Sequence, residues 1–314
     1  MNDKGRPPGP DGLRLIFIAG WGRSGSTLLD NLLNIHSDVF STGELASIWR
    51  LGILEGYICG CGRRVLECPV WADVLDDLHP GNLAEAALAV ASFQRRHLRE
   101  RHLPFLLRKT PSRRYSAYVE LLRRLYRRTA DVTGASTLVD SSKTPTDAAA
   151  AFHALGSRMV LVHLVRDPRA TAFSWARTKP RSDRGVEEPM KRRGATSSSF
   201  RWLLRNAGTE LLANKRGPRY LRIRYEDLVT SPAPQLKKIF ASIGLPAESY
   251  AESEEVEFAV NHTVSGNPSR FSQGRVQLRL DSEWKQAMSP SSRTLTTAIS
   301  LPLLRRYGYE IRSK

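Results

Sequence analysis

The chain has 314 residues, 41% hydrophobic and 25% charged, enough to bury a core without disulfide or metal staples; this excludes a stapled miniprotein and a disordered polyelectrolyte. Its 48 Lys and Arg against 31 Asp and Glu leave a formal charge of +17, which points to an anionic partner. The arginines are dispersed and carry no RNA-binding signature or finger spacing, so nucleic acid is set aside and most of them read as solvated faces.

Residues 1–12, MNDKGRPPGPDG, are rich in Gly and Pro and read as a disordered tail ahead of a single domain over 13–314. LRLIFIA at 13–19 is a continuous apolar run, the pattern of a strand buried on both faces. It is far too short to span a bilayer or to form a signal-peptide core, so a cytoplasmic protein with no integral membrane segment is expected. Leu28, Leu29, Leu32, Leu33 and Ile35 then follow at helical spacing, and DVFST at 38–42 reads as a second strand. Residues 45–130 are mostly helical, with an insert from about 50 to 130. In it, Tyr115, Tyr118, Val119, Leu122, Leu125 and Tyr126 form one stripe opposite arginines.

Three cysteines fall in CGCGRRVLECPVW at 59–71. A structural zinc site wants four ligands, and His79 is the histidine near enough in sequence to join Cys59, Cys61 and Cys68. A disulfide from Cys68 to Cys59 or Cys61 is unexpected in a reducing compartment. The expectation is a tight Gly/Cys turn with no metal.

Further strands are read at 136–140, 159–165 and 220–225. About 178–200, rich in Gly, Ser, Pro and charge, reads as a mobile basic loop. A helix carrying Leu236, Ile239, Phe240 and Ile243 stops at Gly244, and 301–309 reads as a final helix with a short strand. Alternating strands and helices predict an α/β fold with a doubly wound parallel sheet.

Such sheets bind ligands beyond the carboxyl ends of their strands. Those ends carry GWGRSGST, Gly43-Glu44, SSKT at 141–144, Arg166-Asp167-Pro168-Arg169 and Glu226-Asp227, which should converge on one rim. The first is P-loop-like: four residues separate Gly20 from Gly25, and Thr27 takes the Ser/Thr place. Ser26, however, stands where the lysine that reaches the β/γ-phosphates of ATP belongs. Gly22 and Gly25 admit close approach, Ser24, Ser26 and Thr27 add hydroxyls, and Arg23 adds a cation. Together with a helix N-terminus they make an anion cradle. A second anion position is offered by Arg166 with Ser174 eight residues later. A P-loop kinase using ATP and Mg²⁺ is the weaker alternative, since no clear Asp-ended apolar strand offers itself as the Mg²⁺ partner except the one ending at Asp140. A noncatalytic basic module binding anions or nucleic acid is another.

With both loops in view, the chain resembles the sulfotransferases that use 3′-phosphoadenosine 5′-phosphosulfate (PAPS), over residues 13–310. Their 5′-phosphosulfate loop is similar to GRSGST at 22–27, their 3′-phosphate motif to Arg166 and Ser174, and their YED[LM] segment to Tyr225–Leu228. Their closing C-terminal loop resembles GNPSRFSQG at 266–274. The resemblance implies metal-independent transfer of a sulfuryl group to an acceptor hydroxyl, leaving 3′,5′-diphosphoadenosine (PAP). No histidine motif of the family's cytosolic members is found. HSDVFSTGE at 36–44 is similar instead to the tyrosylprotein and carbohydrate branches, which makes Glu44 the expected base; its other reading is a helix N-cap.

By the same resemblance, Lys143 in DSSKTP would steady the leaving oxygen, with Lys109 in RKTP as a rival, and Arg23 would neutralise charge. Arg270 and Gly274, or Arg275, would clamp the 3′-phosphate, although the family's adjacent Arg-Lys-Gly is here Arg-Phe-Ser-Gln-Gly. Tyr225 would touch the adenine. The acceptor stays open among small molecules, glycans, glycolipids and peptides, and a homodimer is allowed.

Overall fold

A computed structural model describes residues 12–311 apart from 77, 79, 80, 108–111, 178, 179, 182–187, 190, 191 and 247–254. The expected tail up to residue 11, His79, Lys109 and much of the expected loop at 178–200 lie outside the described residues.

The chain opens with β1 (Arg14–Ala19), α1 (Ser26–Leu33) and β2 (Val39–Ser41). The insert comes next: a π-helical turn at Ile48–Leu54, then α2 (Pro69–Asp76), α3 (Leu83–His97), α4 (Leu103–Leu106) and α5 (Arg113–Thr133). Beyond it lie β3 (Thr137–Lys143), α6 (Pro145–Leu155), β4 (Met159–Val165) and α7 (Pro168–Ala176). A two-residue pair, β5 (Pro180–Arg181) with β6 (Glu188–Pro189), precedes α8 (Ala195–Arg216), β7 (Arg219–Arg224), α9 (Tyr225–Thr230) and α10 (Pro232–Ile243). The chain closes with the hairpin β8 (Glu255–Phe258) and β9 (Gly274–Gln277), then α11 (Trp284–Ala287) and α12 (Pro290–Arg306).

Five strands form the central sheet in the order β2-β3-β1-β4-β7, every pair parallel. Strand β1 shows why its sequence is apolar without alternation. Leu15, Phe17 and Ala19 face one core with Leu138, Leu161 and the helices α2, α5 and α6. Ile16 and Ile18 face the other, with Leu29, Leu32 and Leu33 of α1 and Leu236, Ile239 and Phe240 of α10. Each such Leu, Ile or Phe side chain, fully buried, contributes about 1.5–3 kcal/mol of hydrophobic stabilisation. Helix α5 is bounded by local chemistry. The Ser112 side chain accepts from the Tyr115 amide at its start, and Gly134 takes a left-handed conformation at its end.

After β1 the chain moves outward to β2 and back through β3, then crosses to β4 and β7 on the other side. The carboxyl end of β1 is therefore the switch point where a parallel sheet opens a crevice. Three details differ from the sequence expectations. Strand β3 runs on to Lys143, carried by buried serines. Residues 307–309 form no strand: α12 ends at Arg306, and Tyr307 and Tyr309 turn back into the core. The β8–β9 hairpin went unread because four-residue strands carry too little periodicity.

Candidate active site

Beyond β1 the chain makes a loop, Trp21 to Gly25, and enters α1 at Ser26. Gly25 has φ 94°, and a Cβ there would lie 2.4 Å from Cδ2 of Tyr225, so the loop is shaped against that ring. Arg23 holds φ 70° although it is not glycine. Such a conformation costs about 1–2 kcal/mol and persists only where neighbours enforce it. Here α7 does so: the Trp175 indole donates to the Gly22 carbonyl at 3.0 Å and stacks on Trp21 with centroids 5.3 Å apart.

This loop floors a cleft of about 660 Å³, a size suited to a nucleotide. Arg23, Gly25, Ser26 and Thr27 line one end. Ser24 sits behind them, 2% exposed, its Oγ without a hydrogen-bond partner among the described residues. Arg166 leaves β4 beside the loop. Its guanidinium donates to the Arg23 carbonyl at 3.1 Å, pairs with Asp281 at 3.1 Å and lies 4.3 Å from the Tyr225 ring centroid. Ser174, buried on α7, borders the same cleft. Asp167 caps α7 by accepting from the Arg169 amide at 2.8 Å, and Ser174 and Trp175 at the other end of that helix border the cleft. The fifth strand end is used differently: Glu226 accepts from the Asp167 amide at 3.1 Å and the Tyr309 hydroxyl at 2.9 Å, bracing the rim.

Glu44 and Lys143 meet across the ends of β2 and β3 as an ion pair. Glu44 makes no side-chain cap to the turn beginning at Leu45, so the capping alternative is not what its carboxylate does here. Lys143, like Arg23, has a positive φ, 71°. The residues beneath it hold this geometry. Ser141 donates to Asp30 at 2.6 Å, and Ser142 donates to Asp140 while accepting the Ala46 amide at 2.9 Å. Burial pushes the Asp30 carboxyl up to about 7, and that of Asp147, bonded to Thr144, up to about 7. Asp140 is also raised by burial. Its oxygens are taken by Ser142 and Tyr126, and neither described cleft reaches it, so it is not placed to hold a magnesium ion there.

A second cleft of about 780 Å³ opens between β3 and α3. Its wall mixes Leu54, Leu88 and Leu98 with Arg95 and Arg99. The two clefts share Glu44, Arg50, Lys143 and Arg205, so they join at the Glu44–Lys143 pair.

Two sequence candidates fall outside the cleft lining. Arg270 is 1% exposed and donates to the Thr263 and Ile58 carbonyls; it braces its loop from within instead of facing the cleft. Gly274 opens β9, paired with Phe258, and is not part of the cleft lining. The stretch of that loop that does reach the cleft is Ser265, Gly266, Asn267 and Ser269, with the Asn267 amide donating to the Thr27 hydroxyl at 3.1 Å. Sequence reasoning also passed over Arg193, Arg201 and Arg205, which line the cleft. Arg201 and Arg205 stand four apart on α8, a spacing that places them on one helix face.

The model of the sulfotransferase family matches residues 15–249, and the chain belongs to that family. The sulfotransferase domain from the Synechococcus PCC 7002 olefin synthase is 21% identical, with 97% of this chain and 98% of that one covered at a TM-score of 0.51. The sulfotransferase domain from the curacin biosynthetic pathway is 18% identical, with 96% and 99% covered at a TM-score of 0.54. At these identities the likeness speaks for the fold. No curated protein matches the chain. Among the described residues no helix is long and apolar enough to cross a membrane.

Proposed function

We propose that the protein moves the sulfuryl group of PAPS to a hydroxyl of an acceptor seated in the second cleft. The observation that carries this is the junction: two clefts of molecular size meet at one carboxylate and one ammonium, Glu44 and Lys143. The donor fits the residues of the first cleft. Arg166 Nε in the cleft wall and Ser24 Oγ just behind it are buried with no hydrogen-bond partner among the described residues, and α1 begins at this loop with no side-chain cap on its free amides. Bound there, PAPS supplies an activated sulfuryl group on a good leaving group.

The chain's own residues divide the work by position. The loop amides with Ser24, Ser26 and Thr27 hold the 5′ anion at the start of α1. Arg166 and Ser174 hold the 3′ anion, and Tyr225, with its ring beneath Arg166, presents a face to the base. Glu44 accepts the proton of the acceptor hydroxyl. Lys143 and Arg23, both fixed in a strained backbone conformation, set positive charge where negative charge develops on the transferred and leaving oxygens. For this the Glu44–Lys143 pair opens, each partner turning to its own substrate. The mixed apolar and cationic wall of the second cleft favours an acceptor with an apolar body and a polar or anionic end.

Thermal stabilisation tests the donor. PAP at a hundredfold excess over its Kd should stabilise the fold by about 2.7 kcal/mol. ATP with Mg²⁺ and duplex DNA should not. Stabilisation by ATP and Mg²⁺ without stabilisation by PAP would overturn the reading in favour of a kinase.

A further inference from the structure

We propose that Cys59, Cys61, Cys68 and His262 form a structural zinc site that fastens the 261–269 segment to the start of the helical insert. The four candidate ligand atoms all lie within 4.8 Å of one another. Zinc bonds of about 2.3 Å to sulfur at tetrahedral angles place ligand atoms about 3.8 Å apart, so the set needs to contract by no more than about 1 Å. Cys68 Sγ and His262 Nδ1 are already 3.2 Å apart. No disulfide joins the three cysteines.

The backbone around the cluster is built to present these atoms. Cys59 and Cys61 sit on a tight turn closed by the Ile58–Arg64 bridge and by the Cys59 amide donating to the Arg63 carbonyl at 2.7 Å. Gly60, between them, packs against the histidine's own segment. Its amide donates to the Thr263 carbonyl at 3.0 Å, and a Cβ there would lie 2.0 Å from Asn261 Oδ1. Cys68 stands just before Pro69 at the head of α2. One turn into that helix, the Trp71 indole donates to the His262 carbonyl at 2.6 Å. His262 is thus held from both sides, with its ring stacked over Phe40 at 6.4 Å.

The donor chemistry selects the ion. Three thiolates and one imidazole suit zinc, not magnesium or calcium, which prefer oxygen. Four protein ligands leave no open position, as in structural rather than catalytic zinc sites. None of the four lines either cleft. Binding displaces the thiol protons to solvent and involves no change of oxidation state. The sequence expectation of a metal-free turn considered His79 as a fourth ligand. The structure brings the histidine from 194 residues beyond Cys68.

The segment so fastened runs directly into the active cleft. The Val264 amide donates to the Thr42 carbonyl at 2.9 Å, the Glu44 amide to the Ser265 carbonyl at 3.3 Å, and the Asn267 amide to Thr27. The zinc therefore positions the backbone leading into Glu44 without touching the reaction.

The test uses the full, untagged chain purified under reducing conditions. Metal analysis should find close to one zinc per chain that survives dialysis, and thiol titration should find the three cysteines masked until a mercurial releases the ion. Cobalt added to the reduced, zinc-stripped chain should give the visible bands of a tetrahedral, thiolate-rich site. Cys61→Ser and His262→Ala should each lose most of the zinc. A chain that binds neither zinc nor cobalt when reduced overturns the proposal, whether its cysteines titrate as free thiols or prove to be paired in a disulfide. If the variants fail to fold, the stoichiometry and cobalt spectrum of the natural chain still decide. These readouts are independent of sulfuryl transfer, so either proposal can fail alone.

Discussion

Substituting Gly25 by alanine should damage the protein through the ring of Tyr225. At φ 94° an added Cβ costs about 1–2 kcal/mol of backbone strain. It would also lie 2.4 Å from Cδ2 and 2.9 Å from Cε2 of Tyr225, where ordinary contact begins at 3.4 Å. The ring must therefore retreat by about 1 Å, an overpacking cost of about 1–3 kcal/mol. The sum is a loss of about 2–5 kcal/mol, readable as a lowered urea midpoint at unchanged m. The ring carries Arg166 at 4.3 Å, and Arg166 reaches back to the Arg23 carbonyl and to Asp281, so affinity for PAP should fall at least tenfold by calorimetry. Tyr225→Ala removes the obstacle. The Gly25→Ala/Tyr225→Ala double variant should thus lose less than the two singles combined, by about 1–3 kcal/mol. Strict additivity, or a single variant within about 0.5 kcal/mol of the natural chain, would refute the steric argument.

Glu44→Gln should keep PAP affinity within a few fold while turnover with labelled donor falls by about 10²–10⁴, the usual contribution of a general base; retained turnover removes Glu44 from that role. Asp30 and His163 should bend the pH–stability curve in opposite senses. Burial raises Asp30 from 3.8 to about 7, so the native state holds a proton that the unfolded chain has lost. The associated stability is complete below pH 4 and drains by up to about 1.4 kcal/mol per unit as the pH rises to 7. The margin of the natural chain over Asp30→Asn should shrink across that window, and a pH-independent margin in urea titrations would contradict it. His163, bonded to Tyr220 at 2.8 Å and Asn206 at 2.7 Å, is lowered by burial from 6.5 to about 4. Its contribution is complete above pH 6.5 and is lost as the pH falls towards 4, so the margin over His163→Gln should narrow on acidification instead.

Much of this molecule is written locally in its chain. The apolar runs at 13–19 and 159–165 have no alternation because each strand is covered on both faces, and that alone implies a parallel sheet with helices above and below. A parallel sheet sends all its carboxyl ends to one rim, so the residues just past each strand were enough to gather Arg23, Glu44, Lys143 and Arg166 around one place. The absent lysine at Ser26 was equally legible, being a matter of residue type at fixed spacing.

What the sequence could not decide were partners chosen across long separations by long, flexible or uncommitted side chains. Arg270 stands in a loop that does reach the cleft, yet its stem turns inward, where its guanidinium donates to the Thr263 and Ile58 carbonyls. Arg201 and Arg205 read as solvated faces until α8 was laid beside the cradle, and Arg193, just ahead of that helix, read as part of a basic loop. The Glu44–Lys143 pair spans 99 positions, and His262 approaches Cys68 from 194 away. Periodicity and turn chemistry act over a few residues and specify elements. Which side chains share a site depends on how those elements pack, and only the tertiary structure contains that information.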